Sequence, residues 1–216
     1  MTSLLFILAL GMPLGLLFGC ASSPIRRGMA VWLWLAPLPA LALVAFAEPN
    51  AAWALGNERF ALHFVLDAPA RILLGVAALL WSMAGIYAAS WLRGDIEQSG
   101  LPVTWLMTLS GCVGVFLAAD LISFYFLLAV LSIGASGMVL QGQSAEAQRA
   151  SGIYLGIALL GEAFLLAGLV LLAAATPDDS LLIRDAVHFF FSAKEGLLGW
   201  RWEHVAPLLR LESRVL

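Results

Sequence analysis

Long apolar stretches separated by short polar intervals run through the chain as far as Ala175. Within residues 102–140 the single carboxylate or base is Asp120. As one continuous helix this stretch would measure roughly 58 Å, about twice the thickness of a hydrocarbon core. The pattern therefore predicts a hairpin of two spanning helices that turns at Asp120.

A third apolar stretch follows the polar interval 141–149. It begins near Ser151, continues to Ala175 and carries one carboxylate, Glu162, near its middle. Because a short connection joins it to the hairpin, we expect this helix to pack antiparallel against the hairpin's second helix. That packing would place Ala129 and Glu162 at similar depths, close to the centre of the membrane.

The earlier part of the chain predicts three more spans, over residues 4–20, 29–46 and 68–91, which makes six in total. Prolines 37 and 39 should kink the second of them. The connection 48–67 is polar enough to lie outside the lipid, and His63 within it is interpreted as a solvated side chain.

The first stretch also loosely matches a lipoprotein signal, because Cys20 follows Gly19 and precedes small residues. However, no positive charge precedes the apolar stretch, and Phe18 is bulky where such signals carry a small residue. The pattern favours a retained spanning helix.

Residues 177–216 contain no apolar run of about 18 residues, so they predict no further ordinary span. Apolar residues between Leu182 and Leu198 recur at helical spacing with charged residues among them. This pattern is typical of a helix in the membrane interface or against a partner. We therefore expect a transmembrane domain over 1–176 and an amphipathic interfacial tail over 177–216.

Basic residues in short loops set the expected orientation. If Arg26, Arg27, Arg93 and Arg149 face the cytoplasm, both termini lie outside. The tail then carries several basic residues to the outer side, which weighs against this orientation.

Composition establishes the class of protein. The chain is 62% hydrophobic and 12% charged, against about 25% charged for soluble proteins. The prediction is an all-α, polytopic membrane helix bundle of about six transmembrane helices with a C-terminal amphipathic helix. The net charge of −3 and the lack of a basic run argue against nucleic acid as a partner. Arg greatly outnumbers Lys, which hints at a bacterial source and thus at the cytoplasmic (inner) membrane.

Motifs for self-contained catalysis are missing from the sequence. It has no Gly-rich phosphate loop, no CxxC pair, no His-rich cluster and no nucleophile with an evident base. Cys20 and Cys112 lie in apolar segments and are interpreted as small buried residues. We predict no catalytic residue, cofactor or metal site in this chain.

Glu162 is the candidate for a proton relay. An ionised carboxylate near the bilayer centre costs a few kcal/mol unless it is protonated, paired or facing water. The competing interpretation is a permanently neutral residue that only fixes helix packing. Asp120 is a weaker candidate, because a solvated carboxylate at a turn costs little.

Small residues at helical spacing predict close approach between helices, since lipid supplies little hydrophobic drive for helix pairing. The candidate packing positions are Gly11, Gly15, Gly19, Gly111, Gly152 and Gly156.

Three stretches resemble one known family when taken in order. Phe64-Val-Leu-Asp-Ala-Pro-Ala, with the apolar span after it, resembles the third-helix region of the antiporter-like subunits of respiratory complex I and of related cation/proton antiporters. Asp120-Leu-Ile-Ser-Phe-Tyr-Phe resembles the start of that family's fifth helix, and Gln148-Arg-Ala-Ser-Gly-Ile-Tyr the sixth. The resemblance covers residues 1 to about 187.

Two departures from the family pattern affect the expected function. The family's fifth helix carries a Glu where this chain has Ala129, and the family fold continues into helices with buried lysines. Lys194, the one Lys of this chain, lies in the tail and matches none of them.

The resemblance implies work inside a larger membrane complex that is quinone-linked or coupled to cations and protons, with other membrane subunits and lipid as partners. Three hypotheses follow. The chain is a structural or assembly subunit that has lost its own ion path, or half of a split translocating subunit completed by another chain. The third is an unrelated small membrane protein that shares only hydropathy.

Overall fold

The structure is a computed structural model that describes residues 2–20, 29–57, 60–91, 100–140, 144–175, 182–185 and 187. The chain divides into two compact units, residues 1–168 and 169–216. In the second unit the described residues are the last turns of a long helix and the short segments 182–185 and 187. The predicted amphipathic helix of the tail falls mostly outside the described residues.

Seven helices and one two-stranded antiparallel sheet make up the described part of the chain. In order they are α1 (Thr2–Gly19), α2 (Met29–Leu35), α3 (Leu38–Phe46), β1 (Ala51–Asn57), β2 (Phe60–Leu66), α4 (Ala68–Trp91), α5 (Leu101–Leu117), α6 (Leu121–Val139) and α7 (Ala145–Ala175).

The break between α2 and α3 lies where the sequence predicts a kink. Pro37 has no N–H to donate and its ring obstructs the preceding turn, so α2 ends at Leu35. Ala36 still donates to Trp32 O at 2.9 Å, and α3 starts directly after Pro37. The predicted span over 29–46 is therefore two short helices.

The polar connection expected over 48–67 is a β-hairpin, which sequence reasoning missed. Trp53 pairs with Phe64 across the two strands, and the two rings stack at 5.8 Å between centroids. On its other side Trp53 stacks on Phe6 of α1 at 6.2 Å. This aromatic column holds one face of the hairpin against the helices.

The core is formed where α5 packs against α1 and α6, with α3 and α4 closing around it. At Gly111 of α5 the close contact is between two backbones. A Cβ there would lie 2.6 Å from Leu131 N and 2.8 Å from Leu127 O, so only glycine lets the two backbones come this close. The largest fully buried side chains of this core include Phe6, Leu43, Leu74, Leu106, Leu109, Val113 and Leu117.

Helix α7 departs from the prediction in length and in packing. It starts at Ala145, six residues before the expected Ser151, because Ser144 Oγ accepts from Ala147 N at 3.0 Å and caps its first turn. Its expected packing along the length of α6 is not found among the described residues. Apolar side chains on it are instead exposed, with Ile157 at 68% and Phe164 at 73%.

Four described helices are long and apolar enough to cross a membrane: α1, α4, α6 and α7. Helix α5 and the α2–α3 pair are apolar but shorter. The protein is thus a mostly helical membrane bundle, and a count of six spans depends on the shorter helices also crossing.

Candidate functional site

Asp120 occupies the turn between α5 and α6 and is buried, with 5% of its surface exposed. Its Oδ1 accepts from Ser123 N at 2.7 Å, which caps α6. Its Oδ2 accepts from Ser123 Oγ at 2.5 Å and from His63 N at 2.7 Å. The expectation of a solvated turn carboxylate is wrong, because β2 of the hairpin covers this turn.

The hairpin and the turn are joined by backbone groups as well. Ala119 N donates to His63 O at 2.8 Å, and Phe64 forms an isolated antiparallel bridge with Ala118. The His63 side chain is exposed, in line with a solvated ring, while its backbone binds the turn. Three donors on Asp120 make this carboxylate an anchor for the hairpin.

Two further helix ends at the hairpin are capped by charged side chains. Asp67 Oδ1 accepts from Ala70 N at 2.8 Å at the start of α4. The Arg71 guanidinium donates to Ala47 O at 2.7 Å and to Glu48 O at 2.9 Å, at the end of α3. A cation suits the negative end of the α3 dipole. Asp67 just before an apolar run with Pro69 is a helix-start signal that the sequence offers.

Glu162 is the carboxylate that lies deepest within a described helix. It is 7% exposed, although Gly161 and Ala163 beside it are exposed. Among the described residues no hydrogen-bond partner reaches its Oε1. A buried polar atom without a partner costs roughly 1–3 kcal/mol, so Glu162 is an unfavourable polar position on α7 unless another group bonds it.

A single side-chain hydrogen bond marks where α6 and α7 meet. Ser151 Oγ donates to Ser136 O at 2.8 Å, and both serines are buried. Along the helix axes Ala129 lies roughly 10 Å and Glu162 roughly 16 Å from this bond. Replacement of the missing carboxylate at Ala129 by Glu162 stays a prediction.

The predicted packing glycines fall into two groups. Gly111 packs inside the molecule, as described above. Gly152 and Gly156 of α7, like Gly11 and Gly15 of α1, have no atom within 4 Å of an added Cβ. Gly19 ends α1. Within the described residues, no group of three or more His, Cys, Asp and Glu converges to hold a metal ion.

Known proteins similar to this chain are antiporter subunits. A protein of Staphylococcus saprophyticus named antiporter subunit mnhD2 is 27% identical over 160 residues, which are 66% of this chain and 32% of that protein. Its namesake in Staphylococcus epidermidis is 28% identical over 115 residues, 52% of this chain and 23% of that protein. This chain resembles the antiporter-like membrane subunits. The matched part of this chain spans about a third of the length of the first relative and about a quarter of the second.

The fold also has a relative among solved structures. A chain of the membrane-bound sulfane sulfur reductase, an archaeal respiratory membrane complex, matches with a TM-score of 0.66 at 18% identity. The match covers 81% of this chain and 38% of that chain. No family model matches the sequence. These similarities argue against a membrane protein that shares only hydropathy with the family.

Proposed function

We propose that this chain is a structural or assembly subunit of an antiporter-like complex in a bacterial cytoplasmic membrane, where other membrane subunits cover α7. Its six apolar segments would cross the membrane, and the carboxylate position at Ala129 would leave it without the family's own ion path. The similarity to antiporter subunits over 66% of the chain supports the setting.

The main support for this proposal is the exposed face of α7, which has no neighbour among the described residues. Gly152 and Gly156 lie about 40° apart on the helix and present bare backbone, while Ile153 and Ile157 beside them are 58% and 68% exposed. Close backbone approach is what drives helix association in lipid. A partner helix packed on this face would therefore gain contacts that lipid chains supply less well.

Leucine at Gly152 or Gly156 should separate the chain from its partner subunits. The test is purification in mild detergent followed by identification of the co-eluting chains, with Gly161→Leu as the matched control. Gly161 is equally open but lies about 180° around the helix from Gly152. Retention of the same partners by Gly152→Leu and Gly156→Leu would contradict docking on this face.

A second candidate function is proton relay within a split translocating subunit, and the buried Glu162 favours it. Oε1 lacks a hydrogen-bond partner among the described residues, so a polar group on another chain could bond it and pass a proton to it.

Glu162→Gln separates relay from packing because it keeps the shape of the side chain and removes its titration. A complex that assembles but loses proton coupling supports the relay. Glu146→Gln, at the exposed start of α7, is the control and should change nothing. Unchanged proton coupling in membranes that carry Glu162→Gln would contradict the relay and support a purely structural role for this chain.

A further inference from the structure

The indole N–H of Trp105 on α5 is a buried hydrogen-bond donor. The side chain is 5% exposed, and no acceptor reaches its Nε1 among the described residues. Trp81 of α4 packs against it edge to face, with 4.8 Å between the ring centroids. An unpaired donor is costly inside a membrane, because lipid tails supply no acceptor.

The carbonyl of Leu33 on α2 is a buried acceptor without a donor. In a regular helix it would accept from the N–H of residue 37, which is proline in this chain. Leu33 is fully buried, and no hydrogen bond to its oxygen is found within the described residues. A Cβ added to Gly85 of α4 would lie 2.7 Å from this oxygen. The carbonyl therefore faces a point where α4 has no side chain that donates.

The unpaired donor and the unpaired acceptor belong to one small cluster of side chains. Leu33, Ala88 and Trp105 are its buried members, and Trp81 and Met138 pack against them. The side chains of Leu33 and Ala88 carry no polar atom. Because the indole N–H does not bond the carbonyl directly, a small polar molecule between them would satisfy both groups.

This cluster lies near one end of the helix bundle. Leu33 is four residues from the start of α2, Ala88 three residues from the end of α4, and Trp105 four residues from the start of α5. Each is therefore within roughly 6 Å of a helix end along the axis. Water in the membrane interface has only a short distance to travel to the cluster.

A crevice of about 340 Å³ between α2 and α4 provides the room. Its lining residues are Trp34, Ile86, Ala89 and Ser90. Trp34 and Ala89 directly follow two members of the cluster in the chain. Ser90 Oγ donates to Tyr87 O at 2.7 Å and can still accept a hydrogen bond. A water molecule takes roughly 30 Å³ in the liquid, so the crevice is wide enough to admit water.

We propose that a water molecule binds between Trp105 and Leu33, where it accepts from the indole N–H and donates to the carbonyl. It would supply the hydrogen bond that Pro37 removes from α2. Ordered water is one of the means by which a membrane helix tolerates a proline break. The site lies away from α7 and goes beyond the proposed function, since it does not depend on docking there.

Nuclear magnetic resonance on the intact chain in lipid nanodiscs tests the proposal. Trp105→Phe identifies the indole signal of Trp105 by its disappearance. In the parent chain we expect a cross-relaxation peak between this indole proton and water, with the sign that direct contact gives and hydrogen exchange does not. An indole proton without contact to water would overturn the proposal, whether it lies over the ring of Trp81 or bonds a protein acceptor.

Pro37→Ala is the matching variant. It gives residue 37 an N–H that can bond the Leu33 carbonyl, so the water loses its acceptor and its peak should weaken at least about fivefold. Pro39→Ala is the control, because it changes a proline in the first turn of α3 and leaves residue 37 without an N–H. The peak should keep its intensity in this control.

An undiminished water peak in Pro37→Ala would contradict Leu33 as the acceptor. Equal weakening in both variants would contradict it too, since the loss would then follow from any disturbance of the break between α2 and α3. If Pro37→Ala does not fold, the spectrum of the parent chain still decides whether water reaches Trp105.

Discussion

Helices α5 and α7 use glycine in opposite ways. On α5, Gly111 faces Leu127 and Leu131 of α6 so closely that a single methyl group would meet backbone atoms. On α7, Gly152 and Gly156 face open space. One glycine completes contacts within the chain, and the others leave a face for contacts that the chain does not supply itself.

The two regions also differ in whether the chain supplies hydrogen-bond partners for their buried carboxylates. Asp120 receives three hydrogen bonds and fixes the hairpin to the α5–α6 turn. Glu162 is nearly as buried, yet its Oε1 has no partner within the part of the chain described. The carboxylate that packs against the hairpin is thus hydrogen-bonded within the chain, whereas the one on the helix that we assign to partner contacts is not.

The largest expected difference in stability is between an alanine substitution at the packed Gly111 and one at the open Gly152. Gly111→Ala should destabilise the isolated chain in detergent by about 3 kcal/mol, because α5 and α6 would be forced apart. Gly152→Ala should change stability by no more than about 0.5 kcal/mol, since nothing is near. Unfolding by denaturing detergent measures both. Equal losses would remove the distinction between the two regions.

A smaller effect is expected at the carboxylates. Asp120→Ala should cost about 2 kcal/mol, because the N–H groups of His63 and Ser123 lose their acceptor. Faster amide exchange should follow over residues 60–66. Glu162→Gln, which loses no protein donor within the described residues, should leave stability within about 0.5 kcal/mol. A loss at Glu162 as large as that at Asp120 would contradict the comparison.

The orientation in the membrane can be tested without any expected change in stability. With both termini outside, a cysteine at position 145 should react only from the inside, and one at Ala54 in the hairpin only from the outside. The labelling uses a background without Cys20 and Cys112. Reaction of position 145 from the outside would reverse the orientation.

The helices were predictable because the length of an apolar run and the prolines or polar residues that interrupt it are local signals. The turn at Asp120, the break at Pro37 and the helix over 68–91 all follow from single residues or runs. The hairpin was missed because no Asn-Gly or Asp-Gly pair marks its turn and β1 lacks a clear apolar and polar alternation. The alternation of Leu62, Phe64 and Leu66 was the available signal.

The burial of Asp120 and the exposure of α7 could not be predicted in the same way. Asp120 is buried by a strand that lies 57 positions away from it at His63, and such long-range pairing leaves no local mark. Helix α7 has the composition of an ordinary span, so its sequence does not tell which neighbour covers it.

The most direct test of the central claim is the native mass of the chain extracted from its own membranes in mild detergent. The account predicts one assembly of fixed composition, well above the 23.0 kDa of this chain, that loses this subunit in Gly156→Leu but keeps it in Gly161→Leu. A lone chain in its detergent micelle, unchanged by either substitution, would contradict it.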